Sequence, residues 1–242
     1  MESHGQRPTI VLVHGAFEDS SIWSGVIPRL RREGFPVIAF ANPLLGVAVD
    51  TAYLRSVLNR IQGSIILAAH SYGGAVITQA GAEDPKVKAL VYAAAIMPAP
   101  GEAATDLLER FPDSTFPTSV EPVNYMLPDG TNGTYLLYQA DKFNNNVAAD
   151  VPDSDAALMF ITQRPMNLAA LNQKVTVAGW ETKPSWQVRT LRDLAIPLEE
   201  QKFEADRAHA HVLEVDSSHA VTVSHPDVVA DAIEQAARAV SN

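Results

Sequence analysis

Apolar residues in the first part of the chain alternate between short continuous runs and runs with helical spacing. The run from Thr9 to Val13 is apolar and β-branched, which predicts a strand buried on both faces. A helix is predicted next, because apolar residues recur every three or four positions before Gly34. The alternation continues, with strands predicted at 36–40, 64–69 and 87–94 and helices at 53–61 and 74–82. This order predicts an α/β fold, with a mostly parallel sheet of about six strands and helices on both faces.

The alternation breaks between residues 98 and about 183. This segment is rich in proline, asparagine, aspartate and glycine and has only short apolar clusters, so we interpret it as an inserted helical cap. Regular patterning then returns, with strands predicted at 185–190 and 210–215 and helices after Pro197 and at 226–240. The sequence therefore predicts one α/β domain over residues 1–242 with a cap inside it.

Composition and charge narrow the class of protein. The length of 242 residues suits one domain with an insertion. A net charge of −10 would repel nucleic acid and anionic membrane surfaces, and no basic stripe offsets it. The absence of cysteine excludes disulfides, thiolate metal sites and a cysteine nucleophile. The start MESHGQRPTI has no apolar signal core and no run is long enough to span a membrane, so we expect a cytoplasmic protein.

A polar turn at 69–74, with the sequence AHSYGG, separates a predicted strand from a predicted helix. This is the context of a nucleophile elbow, in which a sharp strand-to-helix turn exposes a serine hydroxyl and needs small residues on both sides. Gly73 and Ala69 are small, although Ala69 stands where the pattern Gly-x-Ser-x-Gly has its first glycine. The sequence therefore predicts Ser71 as a nucleophile.

A serine hydroxyl needs a base within hydrogen-bond reach and a carboxylate that orients the base. Among the seven histidines, His219 fits best, because it lies in a polar loop directly after the last predicted strand. Asp193, in the loop after the strand at 185–190, is the candidate acid, and Asp216 and Glu102 stay open as alternatives. No pair of histidines has the spacing of a zinc-binding helix, so no metal is expected.

An oxyanion hole requires two backbone N–H donors, one after the nucleophile and one in the loop after the first core strand. These positions are Tyr72 and Ala16. Gly15, which precedes Ala16, is expected to permit an unusual turn and to leave room for a substrate.

Four motifs in this order resemble the α/β-hydrolase superfamily: VLVHGAF at 11–17, AHSYGG at 69–74, RDLAIP at 192–197 and SSHAVTVSHP at 217–226. The resemblance is to its compact branch, which includes plant methyl-salicylate esterases, hydroxynitrile lyases and bacterial esterases, and it spans nearly the whole chain. It implies a Ser71, Asp193 and His219 triad, an oxyanion hole at Ala16 and Tyr72, and a lid after residue 97. It implies no cofactor, and the two leading strands of the full fold are expected to be missing.

The predicted function is that of a serine hydrolase, a carboxylesterase for small hydrophobic esters, with Phe17, Tyr72 and Met97 in an apolar pocket. Two alternatives stay open. One is a lyase of the same fold, whose relatives place a lysine near the triad; Lys183 and Arg192 are the nearest basic residues in sequence. The other is a ligand-binding protein that keeps the triad. The expected partner is a small-molecule substrate, and homodimer formation is left open.

Overall fold

A six-stranded parallel sheet lies at the centre of the computed structural model, which describes residues 7–241. Residues 1–6, where the sequence shows no apolar signal core, lie outside the described chain. The strands are numbered along the chain: β1 Thr9–Val13, β2 Val37–Phe40, β3 Ile65–Ser71, β4 Val87–Ala95, β5 Val120–Met126, β6 Asn132–Tyr138, β7 Met166–Asn167, β8 Ser185–Thr190 and β9 His211–Val215. The spatial order β2-β1-β3-β4-β8-β9 places β3 inside the sheet with a parallel neighbour on each side.

Helices connect these strands and cover both faces of the sheet. In chain order they are α1 Ile27–Arg32, α2 Val47–Leu58, α3 Gly73–Glu83, α4 Ala104–Arg110, α5 Ala140–Val147, α6 Asp153–Ile161, α7 Leu168–Leu171, α8 Leu198–Ala208, α9 Val221–Ser224 and α10 Pro226–Ala239. Short 3-10 helices occur at Ser20–Trp23, Phe116–Thr118 and Gly179–Glu181. The predicted α/β fold with about six parallel strands is confirmed.

Successive residues of β1 point to two separate apolar cores. Ile10 and Leu12 pack with residues of α10 on one face, whereas Val11 and Val13 pack with α2 and α3 on the other. All five residues of β1 are buried, as expected for a parallel strand covered by helices on both sides. None of the helices in the described chain combines the length and apolar content that a membrane crossing requires.

The first predicted helix is divided in the structure. Residues 20–23 form a 3-10 helix and α1 begins only at Ile27. Gly25 lies between them against Pro226, and a Cβ at Gly25 would lie 2.9 Å from the proline ring. Apolar spacing alone did not reveal this break; Pro28 lies in the first turn of α1, and a helix that began at residue 20 would place this proline in its interior.

The segment between β4 and β8 contains helices α4 to α7, as the cap interpretation predicts, and also an antiparallel sheet that the sequence did not predict. This second sheet has the order β5-β6-β7. Strand β5 carries Glu121, Pro122 and Asn124 and is largely exposed, so it lacks the apolar alternation that marks a half-buried strand. The role of the segment as a lid stays a prediction.

Candidate active site

Ser71 is the last residue of β3, and α3 begins two residues later, so the strand-to-helix turn lies at the predicted position. The backbone of Ser71 has a φ of 53°, a left-handed conformation that costs about 1–3 kcal/mol for a residue with a side chain. A side chain at Gly74 would collide with the carbonyl oxygen of Ile96. The elbow is thus a strained turn that the surrounding backbone holds in place.

The structure brings Ser71, His219 and Asp193 together in one hydrogen-bonded chain. Nε2 of His219 lies 3.0 Å from Oγ of Ser71, and Nδ1 lies 2.8 Å from Oδ2 of Asp193. His219 is in the loop after β9 and Asp193 is in the loop after β8, so both reach the carboxyl edge of the sheet, where β3 ends. This geometry allows His219 to accept a proton from Ser71 while the aspartate orients the ring.

Asp193 is a buried carboxylate that accepts hydrogen bonds at both of its oxygens. Its Oδ1 accepts hydrogen bonds from the backbone amides of Ala195 and Ile196 at 2.8 and 2.9 Å, and Oδ2 also accepts from Oγ1 of Thr190 at 3.0 Å. These donors fix the carboxylate and leave one lone pair directed at His219. The site does not require any further group to hold the acid.

The two alternative acids lie elsewhere. Asp216 is exposed and pairs with Arg192 at 2.5 Å. Glu102 pairs with Arg110 and Arg207 at 2.8 and 2.6 Å. Neither carboxylate contacts the imidazole of His219, which leaves Asp193 as the acid at the site.

The loop after β1 passes directly against the elbow. A Cβ at Gly15 would lie 2.6 Å from Cβ of Ser71. The glycine therefore makes room for the serine, and the expectation that it leaves room for a substrate stays a prediction. The positive φ that marks an unusual turn in this loop occurs two residues later than expected, at Phe17 with 64°, and not at Gly15.

Ala16 and Tyr72, the predicted oxyanion-hole residues, both line the same cavity as Ser71. Among residues 7–241 neither backbone amide donates a hydrogen bond to another protein group, whereas the amide of Gly15 is engaged by Glu18. The Tyr72 side chain is held away from the site, because its hydroxyl donates to Oδ2 of Asp50 at 2.9 Å. Two free amides beside a serine are what an oxyanion hole requires. Their role stays a prediction.

Glu18 joins three parts of the site, and the sequence analysis did not identify it as a site residue. Its Oε1 accepts from the amide of Gly15 and lies 2.7 Å from Nδ1 of His70. The other ring nitrogen of His70 lies 2.8 Å from the carbonyl oxygen of His219. A single buried pair therefore ties the oxyanion loop to the elbow and to the backbone of His219. The sequence signal was an acid four residues after His14, within the loop that carries Ala16.

Both ring nitrogens of His70 face acceptors, which indicates that the ring is doubly protonated. A carbonyl oxygen can only accept, so Nε2 must carry a proton, and the carboxylate of Glu18 faces Nδ1. Burial by itself lowers the pKa of His70, but the charge and hydrogen bond of Glu18, the carbonyl of His219 and the charge of Asp193 together outweigh it, so the pKa is raised. Burial likewise raises the pKa of Glu18, yet the facing His70 brings it below its ordinary value. The two groups form an ion pair.

A cavity of about 350 Å³ opens above Ser71 and His219. Phe17 lines it, as predicted. Met97 does not: it is fully buried outside the cavity, with its sulfur 3.9 Å from Nε2 of Gln187 and its amide donating to Glu204. The prediction for Met97 is wrong because its side chain packs against Gln187 of β8 and is not part of the cavity lining.

Aromatic side chains from the segment between β4 and β8 form the wall opposite the sheet. The ring of Tyr138 lies 4.8 Å from Phe17 and 5.4 Å from Phe143 in edge-to-face geometry. Phe116 lies 6.0 Å from both Phe17 and Tyr138. These four rings, all of which line the cavity, make it apolar and suited to a hydrophobic ligand.

The ionisable side chains around the cavity, His219 and the tyrosines apart, are all acidic. They are Glu18, Asp19, Asp155 and Glu200. No lysine or arginine of the described chain lines the cavity. Lys183 instead donates to the carbonyl oxygens of Gly81 and Asp84, and Arg192 pairs with Asp216. The electrostatic field of the cavity therefore disfavours anions.

The chain also resembles known proteins in sequence and in fold. The sequence profile described as the Alpha/beta hydrolase family matches residues 10–232, so the chain belongs to this family. A Ser-His-Asp triad and a backbone oxyanion hole are typical of it.

Several relatives align over most of the chain at low identity. A probable hydrolase of Phoma sp. is 24% identical, with 96% of this chain and 98% of the relative covered. A pyrethroid hydrolase of Sphingobium wenxiniae is 26% identical, with coverage of 93% and 85%. A carbendazim hydrolyzing esterase of Nocardioides sp. is 29% identical, with coverage of 76% and 79%. These matches place the chain among the hydrolases of the family.

Solved structures share the fold. Polyneuridine aldehyde esterase superimposes with a TM-score of 0.83 at 21% identity, covering 95% of this chain and 99% of that one. A pyrethroid hydrolase from Sphingobium faniae gives a TM-score of 0.80 at 22% identity, with coverage of 97% and 98%. At these identities the likeness establishes the fold, including the segment between β4 and β8, but it does not identify a substrate of this chain.

Proposed function

We propose that the chain is a serine carboxylesterase that cleaves small, neutral, hydrophobic esters through an acyl-enzyme on Ser71. One observation carries the proposal: the hydrogen-bonded chain from Ser71 through His219 to Asp193 lies at the floor of an apolar cavity. A hydroxyl within 3.0 Å of an imidazole nitrogen is in position to lose its proton as it attacks.

The first half of the reaction forms an ester between Ser71 and the acyl group. Oγ of Ser71 attacks the carbonyl carbon, and its proton passes to Nε2 of His219. The carbonyl oxygen becomes an anion that the amides of Ala16 and Tyr72 stabilise by hydrogen bonds. When the tetrahedral intermediate collapses, the bond to the alcohol oxygen breaks and His219 gives its proton to that oxygen, so the alcohol leaves neutral.

The second half restores the enzyme. Water replaces the alcohol, loses a proton to His219 and attacks the acyl carbon, again producing an anion at Ala16 and Tyr72. The bond to Oγ then breaks, Ser71 regains its proton from His219, and the carboxylic acid is released. Asp193 keeps the imidazole in the orientation that both transfers require, since its own four hydrogen bonds leave it fixed.

The walls of the cavity support the substrate class. Phe17, Phe116, Tyr138 and Phe143 provide an apolar surface, and the acidic rim disfavours esters that carry a carboxylate. Relatives named for pyrethroid and carbendazim hydrolysis agree with a hydrophobic substrate that contains an aromatic part, which we include in the proposal. The proposal needs no cofactor and no macromolecular partner. Homodimer formation and a cytoplasmic location stay predictions of the sequence.

The basic residues argue against a lyase. The sequence left Lys183 and Arg192 as the candidates for a cation near Ser71, but both are engaged outside the cavity. A ligand-binding protein has no need for the complete chain of Ser71, His219 and Asp193 with two free amides beside it. Hydrolysis therefore accounts for more of the geometry than either alternative.

The test combines covalent labelling with turnover. Wild-type protein should be labelled by a fluorophosphonate on the peptide that contains Ser71 and should hydrolyse p-nitrophenyl esters. Ser71→Ala should lose the label and lower kcat by at least about 10⁴-fold, because the attacking oxygen is gone. Mass spectrometry of the labelled peptide and release of p-nitrophenol measure the two outcomes.

Ser24→Ala is the matched control, because Ser24 also lines the cavity but its hydroxyl donates to the carbonyl of Ser21. This variant should keep label and turnover. A labelled wild type with no turnover of any ester would favour the binding protein, and absence of both label and turnover would overturn the hydrolase proposal.

A further inference from the structure

Glu200 is a buried acid at the wall of the cavity. It lies in the first turn of α8, where acidic residues are common because they interact favourably with the helix dipole. Such residues are normally exposed, as its neighbour Glu199 is, with a side chain that is 69% accessible and pairs with Lys202. Glu200 is instead 1% accessible and lines the cavity together with Ser71 and Ile196.

The carboxyl of Glu200 has no hydrogen-bond partner in the described chain, and its Oε2 is buried. An acid at this position of a helix usually reaches back to the amide of the N-cap residue. Here the N-cap residue is Pro197, which has no N–H to offer. An unpartnered polar group in a protein interior costs about 1–3 kcal/mol, so helix capping does not explain why this side chain is an acid.

Its surroundings favour the protonated form of this carboxyl. Burial raises the pKa of Glu200 well above its ordinary value, and the nearby carboxyls of Glu204, Asp193 and Glu102 raise it further. Arg207 acts in the opposite direction, but its guanidinium is hydrogen-bonded to Glu102 and to a backbone carbonyl. The protonated carboxyl, at the cavity wall and without a partner in the described chain, has an O–H to donate to a ligand.

We infer that Glu200 is the polar recognition group of the cavity, donating a hydrogen bond to an uncharged acceptor of the substrate, such as an ether, ketone or hydroxyl oxygen. This inference rests on the proposed esterase function and specifies its substrate class. The preferred substrate is a neutral ester with a hydrogen-bond acceptor outside the scissile group. An ester with a carboxylate in that position is disfavoured, because the acidic side chains of Asp19 and Asp155 also line the cavity.

Matched esters test the inference. Kcat/KM is measured for p-nitrophenyl hexanoate, for analogues in which one methylene of the acyl chain is replaced by an ether oxygen at successive positions, and for the analogue that ends in a carboxylate. In the wild type the best ether analogue should exceed hexanoate by roughly 3- to 10-fold, the range of one hydrogen bond. The carboxylate analogue should be slower by at least about 100-fold.

Two variants distinguish hydrogen-bond donation by Glu200 from the effect of a negative charge at this position. Glu200→Leu should abolish the preference for the ether oxygen over hexanoate, because an apolar wall replaces the O–H donor. Glu200→Gln should keep most of the preference, because the amide N–H can also donate. Glu199→Leu, on the exposed side of the same turn, should change neither ratio. Glu200→Gln also keeps the test valid if the leucine variant does not fold.

Failure of this inference is distinct from failure of the esterase proposal. Hexanoate turnover and the Ser71 label report on esterase activity, whereas the ratio of ether to methylene substrates reports on Glu200. An unchanged ratio in Glu200→Leu, or no preference in the wild type, would overturn the inference. A preference for an ester that ends in an amine, lost in Glu200→Gln, would also overturn it, because Glu200 would then act as an ionised counter-ion.

Discussion

The two walls of the cavity are built in different ways. The sheet side, with Ser71, His219, Asp193, Ala16 and Tyr72, comes from loops at the carboxyl ends of parallel strands and is held by short hydrogen bonds. The cap side, with Phe116, Tyr138 and Phe143, comes from the segment between β4 and β8 and combines edge-to-face contacts of rings with a hydrogen bond from the Tyr138 hydroxyl to Oδ1 of Asn146 at 2.7 Å.

This difference separates chemistry from selectivity. Hydrogen bonds fix atoms within a few tenths of an ångström, as a proton transfer between Ser71 and His219 requires. Aromatic contacts fix volume and shape with less directional precision, which suits a wall that selects substrates by size. We therefore expect substitutions on the sheet side to lower kcat and substitutions on the cap side to change KM and substrate preference.

Glu18→Gln tests the sheet side and has the largest expected effect in the comparison. Glutamine can still accept a hydrogen bond from the amide of Gly15, but it carries no charge to balance a doubly protonated His70. His70 would then lose one of its two protons. With it, His70 would lose either its hydrogen bond to the carbonyl of His219 or its hydrogen bond to residue 18. We expect kcat to fall about 10- to 100-fold and KM to change less than about 2-fold. The variant loses a contact that positions the catalytic groups but loses no contact with the substrate. Steady-state kinetics on a p-nitrophenyl ester measures both constants.

Asp19→Asn is the control for this variant. Asp19 also lines the cavity, but it only accepts from the amide of Ser21 at 2.7 Å. It should leave kcat within about 2-fold of the wild type, since no bond to the site is lost. A Glu18→Gln enzyme with normal kcat, or an equal loss in both variants, would show that the Glu18 and His70 pair has no special role in catalysis.

Phe116→Ala tests the cap side and should have a smaller effect of a different kind. The lost ring widens the cavity, so KM for short esters should rise about 3- to 10-fold while kcat stays nearly constant. Bulkier esters should gain relative to short ones. Phe111→Ala is matched in residue type and partial burial but packs on Phe203, with ring centroids 5.5 Å apart, outside the cavity. A fall in kcat as large as that in Glu18→Gln would contradict the division between the two walls.

Glu204→Gln should leave activity unchanged and alter only stability. Burial raises the pKa of Glu204 from 4.5 to about 8. Below pH 4.5 both the folded and the unfolded chain hold this proton, so the residue does not affect the pH dependence of folding. Between 4.5 and about 8 only the unfolded chain ionises, which lowers the free energy of unfolding progressively as pH rises.

The glutamine cannot ionise, so its advantage over the wild type should grow across this interval. We expect a gain of about 1–3 kcal/mol near pH 8 and almost none near pH 5, measured by urea unfolding. Glu199→Gln, on the exposed side of α8, should show no such gain. A constant difference between Glu204→Gln and the wild type at both pH values would contradict the raised pKa. Altered kcat would show that this carboxyl, which lies outside the cavity, contributes to the reaction after all.

Much of the sheet side could be predicted because each of its groups lies next to a strong local pattern. Ser71 lies at the end of a strand and Asp193 and His219 lie in loops directly after strands, and the parallel fold brings the ends of those strands to one edge. Glu18 was missed although it lies in a recognised loop, since its partner His70 is 52 residues away and only the folded chain joins them.

The cap side was harder to predict for a physical reason. Strand β5 is largely exposed, so burial imposes no clear apolar alternation on it, and the three-stranded sheet that it forms with the partly buried β6 was not predicted. Met97 was assigned to the pocket from its position after β4, but a single turn of backbone decides which way such a side chain points. Its side chain is buried against Gln187 of β8, outside the cavity.

The sequence by itself determined the order of strands and helices around the parallel sheet, the α/β-hydrolase fold and the identity of the residues at the elbow and after the last two strands. These features follow from local periodicity and from turn residues, which act over a few positions. Only the tertiary structure decided which acid faces His219, that Glu18 and His70 pair, and that Glu200 lies unpartnered in the cavity. Such facts depend on distances between residues far apart in the chain, which are set by packing and burial.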